Sequence, residues 1–367
     1  MLVAIITLSA GLIFIFGAFR SFNLVSSSNM ATDDEYIVST STPSRGDDEK
    51  LVDGEVPSSE TTKIMAWVFP STRICEAKSE YSDGRHIDVL KPEYFTLAED
   101  GRLTLLTEAS RGCNGYSKKN VEHIRAYAAE RFVTVSGAVD STYALVGSAS
   151  LRAEAVSKLV SFVLEEQFTG VEIDFEDFGN WDAQLYADYK IFLKELGEAL
   201  HKEGRMLMVD VPPVSSSQDQ SYFLISYKDI AKLPVDYIVV MAYDYQFDEG
   251  AGAPIAPNDW VKRIVENAKR DIGDIDRIVI GIPAYSYRGI TGSFSLTRGT
   301  YDDLSTIEGF STAPRDPLSY ERIWEHRRVS YVYIDSEGLA LKRALIESYG
   351  ITQISVWALG GNQWFPR

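Results

Sequence analysis

Histidine and cysteine are scarce in this 367-residue chain, with four of the first and two of the second. The histidines (His86, His123, His201 and His326) are scattered, and nothing has metal-ligand spacing, so neither a metal nor a cofactor is expected. No serine sits in a G-x-S-x-G elbow, which disfavours a Ser-His-Asp hydrolase. A glycine-rich phosphate loop after the first strand-like run is missing too, and with it the dinucleotide-binding fingerprint. Positive charge is short: 36 Lys and Arg against 53 Asp and Glu leave a formal net charge of −17. That balance argues against nucleic acid and against tight adsorption to an anionic membrane. A polysaccharide is easier to accommodate. Cys75 and Cys113 either pair in an oxidising compartment or remain two buried thiols, and the sequence leaves both readings open.

Apolar and aromatic residues are ample. The hydrophobic share of 45% supports a sizeable core, and 20 Tyr, 17 Phe and 6 Trp suit sugar stacking, although most aromatics in any protein fill core. Residues 2–19 are uninterrupted apolar or small sequence, long enough to cross most of a bilayer. The run reads as a signal peptide or an uncleaved anchor, although a basic leading region and a small-x-small cleavage site are missing. Residues 21–62 are rich in Ser, Thr and Asp, with Pro43 and Pro57, and read as a flexible tether. The expected organisation is a signal or anchor at 1–20, a linker at 21–62 and a globular domain at 63–367. It implies a protein working outside the cytoplasm, extracellular or at the cell surface, touching a membrane only through its N-terminal segment.

From residue 63 onward, short β-rich runs alternate with helical stretches. The runs lie at 63–69, 94–97 (weak), 131–139, 170–176, 205–213, 236–245, 277–283 and 353–361. Eight such runs suit a closed (β/α)8 barrel better than an open doubly wound sheet. Helical patterns are clearest at 151–167, 181–203 and 259–270, the last with Asn258 as N-cap. Residues 284–335, between the seventh and eighth runs, are too long for a loop and suggest a small inserted α+β element. Little chain follows the eighth run, so the last outer helix is expected to be missing or replaced.

The fourth run, "TGVEIDFED", carries the chemistry. Side chains alternate along a strand, so Glu172, Asp174 and Glu176 share one face while Val171, Ile173 and Phe175 share the other. The apolar face must meet the helices, which turns the acids into the barrel. Spaced about 6.6 Å apart, three like charges at low dielectric cannot all stay ionised, and at least one pKa should rise. Glu176 ends the strand, nearest the mouth where barrels place catalysis. A raised pKa there is what a general acid for glycosidic cleavage needs.

The segment resembles the D-x-x-D-x-D-x-E signature of glycoside hydrolase family 18, the chitinases and their relatives. Glu176 falls on the catalytic acid and Asp174 on the assisting aspartate, while Thr169 and Glu172 replace the first two aspartates. "MAYDY" resembles the M-x-Y-D of the sixth strand, with Met241, Tyr243 and Asp244. "GIPAYSY" is similar to the seventh-strand motif, and "VWALGG" to the eighth, with Trp357 as the floor of the sugar site. The third-strand S-x-G-G is degraded to Thr134, Ser136 and Gly137. The likeness spans roughly residues 63–361, four motifs in order on consecutive strands.

What the resemblance implies is a retaining hydrolase of β-1,4-linked N-acetylglucosamine polysaccharide, chitin or peptidoglycan, in which the substrate's N-acetyl group is the nucleophile. Glu176 would protonate the leaving oxygen and then activate water. Asp174 would orient the acetamide, Tyr243 would donate to its carbonyl oxygen, and Asp244 would contact the same sugar. Trp357 would stack beneath the ring, with Glu172, Met241 and Tyr245 completing the binding surface. Tyr245, Phe247 and Trp260 either line outer subsites or pack locally, and Asp210 is expected to be a structural hydrogen-bonding partner. The alternatives are an endo-N-acetylglucosaminidase acting on glycoprotein glycans and a non-catalytic sugar-binding protein on the same barrel. Retention of Glu176 counts against the second.

Overall fold

The computed structural model describes residues 62–72, 75–82 and 84–366, so the expected anchor and nearly all of the expected linker lie outside the described residues. In chain order the strands are β1 (Lys63–Val68), β2 (Val89–Leu97), β3 (Leu103–Leu105), β4 (Glu130–Gly137), β5 (Gly170–Phe175), β6 (Met206–Val211) and β7 (Tyr237–Met241). They continue with β8 (Ile278–Pro283), β9 (Ser286–Ile290), β10 (Leu296–Gly299), β11 (Arg322–His326), β12 (Val329–Tyr333) and β13 (Gln353–Trp357). β1, β2, β4, β5, β6, β7, β8 and β13 are parallel neighbours in that sequence, and β13 pairs back onto β1. The result is a closed eight-stranded barrel with no free sheet edge. Short β3 folds back antiparallel on the end of β2.

Two apolar cores follow from strand alternation. Met65, Val89, Phe132, Met208, Val239 and Val279 plug the barrel interior. The larger core lies between barrel and helices and takes the other face of each strand, including Val171, Ile173 and Phe175. Phe175 stacks on Phe192 of the helix Ala183–Lys202, ring centroids 6.0 Å apart. Burial of that apolar face is what commits the acids of β5 to the interior, as the alternation required.

The second strand is longer than the sequence suggested, because Lys91, Pro92 and Glu93 resemble a turn. Their order is nonetheless a strand with a register shift between Glu93 and Phe95, where Pro92 stands opposite Val68 of β1. The helix expected at 259–270 spans Asn258–Ile272, and its N-cap is Pro257, not Asn258. Asn258 is diverted: its Oδ1 accepts a hydrogen bond from buried Lys342 at 2.9 Å.

Between β8 and β13 lies the expected insertion, a four-stranded antiparallel sheet in the order β10-β9-β12-β11 with a short helix at Tyr301–Leu304. Leu304, Ala313, Tyr331 and Tyr333 form its own small core. The helix Ser336–Glu347 then leads into β13, and residues 358–366 follow it without a further helix. Cys75 and Cys113, left open by the sequence, are joined in a disulfide across 38 residues.

Candidate active site

Glu172 and Asp174 point into the barrel at 0% and 5% exposure, and Glu176, just past β5, is part-buried at its C-terminal mouth. The backbone of Glu176 is held on both sides. Its N–H donates to the Gly137 carbonyl at 3.0 Å, and its own carbonyl accepts from Trp181 Nε1 at 2.9 Å. The chain then turns through Asp177, a non-glycine residue at φ 59°. Burial pushes the Glu176 carboxyl up to about 7; Arg298 opposes this, while Asp244 and Asp177 add to it. Asp174 is raised well above the carboxylate range by burial and by Glu176 and Glu172.

Glu172 does not reach the mouth. The structure places it in a closed group below: Oε1 accepts from Lys91 Nζ at 2.5 Å, and Oε2 accepts from Trp67 Nε1 at 2.9 Å and Thr134 Oγ1 at 2.5 Å. Both of its oxygens are therefore engaged within the barrel, by β1, β2 and β4. Lys91 is fully buried and sits 3.1 Å from the centroid of the Trp67 ring. Burial lowers the pKa of the amine, and Glu172, Asp210 and Asp174 oppose that shift. The longer glutamate at position 172 is the partner this lysine meets, which gives the departure from the signature a local reason. Thr169, the other departure, serves the barrel floor: its hydroxyl accepts from the Arg131 N–H at 3.0 Å.

Trp67 also connects that ion pair to Trp357. Its ring meets Trp357 edge-on at 5.4 Å, and Phe69 flanks Trp357 at 6.3 Å. Trp357 is part-buried, and the Trp357–Ala358 peptide is cis. The N–H groups of Gly360 and Gly361 both donate to the Glu80 carboxylate at 2.7 Å, pinning the chain beyond Trp357.

Tyr243 follows β7 and is almost wholly buried; burial with Asp174 and Asp210 nearby keeps its phenol well above the usual range. Glycine at 281, opposite Met241, makes room for it: a Cβ there would stand 3.1 Å from Tyr243 Cε1. Met241 is buried at the end of β7 and packs as apolar wall. Asp244 adopts φ 75° and is gripped by Tyr285, whose hydroxyl donates to Oδ1, and by Arg298, which donates to Oδ2 at 2.7 Å. Strain of that kind persists only where neighbours hold it. Tyr245 and Trp260 pack on each other, centroids 5.4 Å apart, and Tyr245 is bonded to Glu249, so both belong to the local packing alternative. Phe247 lies under the Arg298 guanidinium at 5.2 Å.

The barrel thus assembles Asp174, Glu176, Tyr243, Asp244 and Trp357 around one mouth, and adds groups that the motifs did not disclose. Glu93 sits on β2, accepts from Ser136 Oγ at 2.7 Å, and is pushed up by burial to about 7. Arg298 and Tyr285 come from the insertion and its approach. A signal for Glu93 and Lys91 did exist, since period-two charges flank Pro92 on an apolar run.

A (β/α)8 barrel with inward acids climbing one strand to a carboxyl poised near neutrality, beside an aromatic platform, defines the carbohydrate-active class of barrel proteins. The model of "Glycosyl hydrolases family 18" matches residues 86–361, and the chain belongs to that family. An uncharacterized glycosylase, YvbX, of Bacillus subtilis is 27% identical over 55% of this chain and 60% of its own length. The cortical fragment-lytic enzyme of Bacillus subtilis is 22% identical over 59% of this chain and 52% of its own. The chain therefore spans little more than half of these curated relatives. Among solved structures, a chitinase from Chromobacterium violaceum ATCC 12472 superposes with a TM-score of 0.66 at 21% identity, covering 82% of this chain and 95% of that one. At that identity the likeness speaks for the fold.

Proposed function

We propose that this protein is a retaining glycoside hydrolase that cleaves β-1,4-linked N-acetylglucosamine-containing polysaccharide, chitin or peptidoglycan, with the substrate's acetamido group as nucleophile. The observation that carries the reading is Glu176, pinned by its backbone at the barrel mouth with its carboxyl near 7. Such a group is protonated often enough at neutral pH to donate to a leaving oxygen, and ionised often enough to activate water afterwards.

In this scheme Asp174 accepts a hydrogen bond from the acetamido N–H and stabilises the positive charge that develops. Tyr243, whose phenol stays protonated, donates to the acetamido oxygen as it turns toward the anomeric carbon. Trp357 presents a flat apolar face to the C–H side of the sugar. Asp244, held by Arg298 and Tyr285, meets the same sugar from the side of the insertion. Action outside the cytoplasm belongs to the same proposal and draws support from the Cys75–Cys113 disulfide.

The test is hydrolysis of chitin oligosaccharides and of peptidoglycan by the intact chain and by Glu176→Gln. Turnover with initial retention of the anomeric configuration, falling roughly 10²- to 10⁴-fold in the variant, is the expected result. Binding without turnover on every N-acetylated polymer would overturn the enzyme reading, and full activity in Glu176→Gln would overturn the site. Release of the full-length protein from membranes by carbonate would count against a spanning N-terminal segment.

A further inference from the structure

Asp210 lies inside the barrel at 0% exposure, with its neighbours Val209 and Val211 in the outer core. The ladder between β5 and β6 pairs Glu172 with Met208 and Ile173 with Val209. The next rung brings Asp174 beside Asp210, on adjacent strands about 5 Å apart and on the same inner face. Oδ1 of Asp174 and both carboxyl oxygens of Asp210 are buried without a hydrogen-bond donor among the described residues. Glu172 is different, since both of its oxygens are engaged by donors. Three buried acceptor oxygens with no donor from the described residues are what a proton held on this pair would satisfy.

We propose that Asp210 stores the proton that Asp174 must be free of when an N-acetylated sugar binds. The two carboxyls together carry one proton and one negative charge. In the resting site the proton is shared between Asp174 and Asp210, and Asp210 is also in hydrogen-bonding reach of Glu172. When the acetamido N–H approaches, the proton resides on Asp210, whose O–H donates to Asp174, and Asp174 faces the sugar as the anion. No proton leaves the pair, so its charge is unchanged. The groups facing the pair are Lys91 and Glu93 from β2, Glu172 and Glu176 from β5 and its end, Tyr189 from the helix Ala183–Lys202, and Tyr243 beyond β7. Lys91 is the one cation among them, and its amine is committed to Glu172. Burial and the nearby anions push Asp210 well above the carboxylate range, in keeping with a neutral acid.

This assignment rests on the role given to Asp174 above and makes Asp210 a positioning residue, tested in the intact chain in two ways. Infrared difference spectra of wild type minus Asp210→Asn near neutral pH need no substrate, so they test the proton even if the hydrolase reading fails. Loss of a protonated-carboxyl C=O band is expected, and loss of carboxylate bands alone would overturn the proposal. In the pH profile of kcat/KM, Asp210→Ala removes the donor from Asp174 and moves the acidic limb up by about one to two pH units. Asp210→Asn, whose amide N–H replaces the donated proton, returns that limb toward its wild-type position. A purely structural role would lower the amplitude and thermal midpoint of both variants and leave the limb in place, which would overturn the proposal.

Discussion

Replacing Arg298 by methionine should move the alkaline limb of the pH–rate profile upward. In the proposed mechanism Glu176 acts first as an acid, so the active form is protonated, and activity is full below its pKa and lost as the pH rises through it. In the wild type that pKa stands at about 7, set by burial and held down by the Arg298 guanidinium. Methionine keeps the bulk over Phe247 and Tyr285 but removes the charge. It also releases Asp244, now paired with Arg298 at 2.7 Å, and that anion pushes Glu176 in the same direction. An opposite charge close by is worth about 1–3 pKa units, and the 40% exposure of the arginine side chain places this one at the low end, ~1 unit. At pH 8 the protonated fraction then rises from about one tenth to about one half, a roughly fivefold gain relative to each enzyme's own plateau. The assay is kcat/KM for a soluble chitin oligosaccharide from pH 5 to 9, which reports the free enzyme. A limb that stays put or moves down would refute the coupling of the insertion to Glu176.

Other perturbations separate support from chemistry. Lys91→Met strands a buried carboxylate and should cost roughly 3–5 kcal/mol in urea unfolding, whereas Lys91→Met with Glu172→Gln should recover most of that loss; equal destabilisation of the two would contradict the ion pair. Opening the Cys75–Cys113 loop by a double Cys→Ser change should cost about 4 kcal/mol, since 38 residues are closed by the bond. An unchanged unfolding midpoint under oxidising conditions would count against the disulfide. Trp357→Ala should raise KM for oligosaccharides roughly tenfold or more, by loss of an aromatic face worth on the order of 1.5–3 kcal/mol. A KM within twofold of wild type would remove Trp357 from the sugar site.

The barrel was legible because its strands combine β-branched runs with a single inward face, and β5 was most legible of all, with acids and large apolar residues in strict alternation. Glu176, Asp174, Tyr243, Asp244 and Trp357 could be named from motifs that each occupy one strand end. Lys91 and Glu93 carry a weaker signal, period-two charges, which Pro92 between them masks as a turn, and only barrel closure shows which way they point. Arg298 was hidden for another reason: 54 residues separate it from Asp244, and nothing local in β10 marks it as part of the mouth. Glu172 shows the opposite failure. Its motif position was visible, but its partners come from three other strands, so its burial in an ion pair emerges only in three dimensions.

The Lys91–Glu172 pair also bears on how the molecule forms. Glu172 collects Thr134, Lys91 and Trp67 from 38, 81 and 105 residues earlier in the chain. In an open, partly wound chain both charges stay hydrated at no cost, and their desolvation falls due only when β1, β2, β4 and β5 come together. Closure of this half of the barrel therefore carries the electrostatic penalty, while a separate pairing, β1 with β13, sets Trp67 against Trp357. Trp67 takes part in both closures: a chain stalled before the first leaves Glu172 without its indole donor, and one stalled before the second leaves Trp357 without its edge-on neighbour.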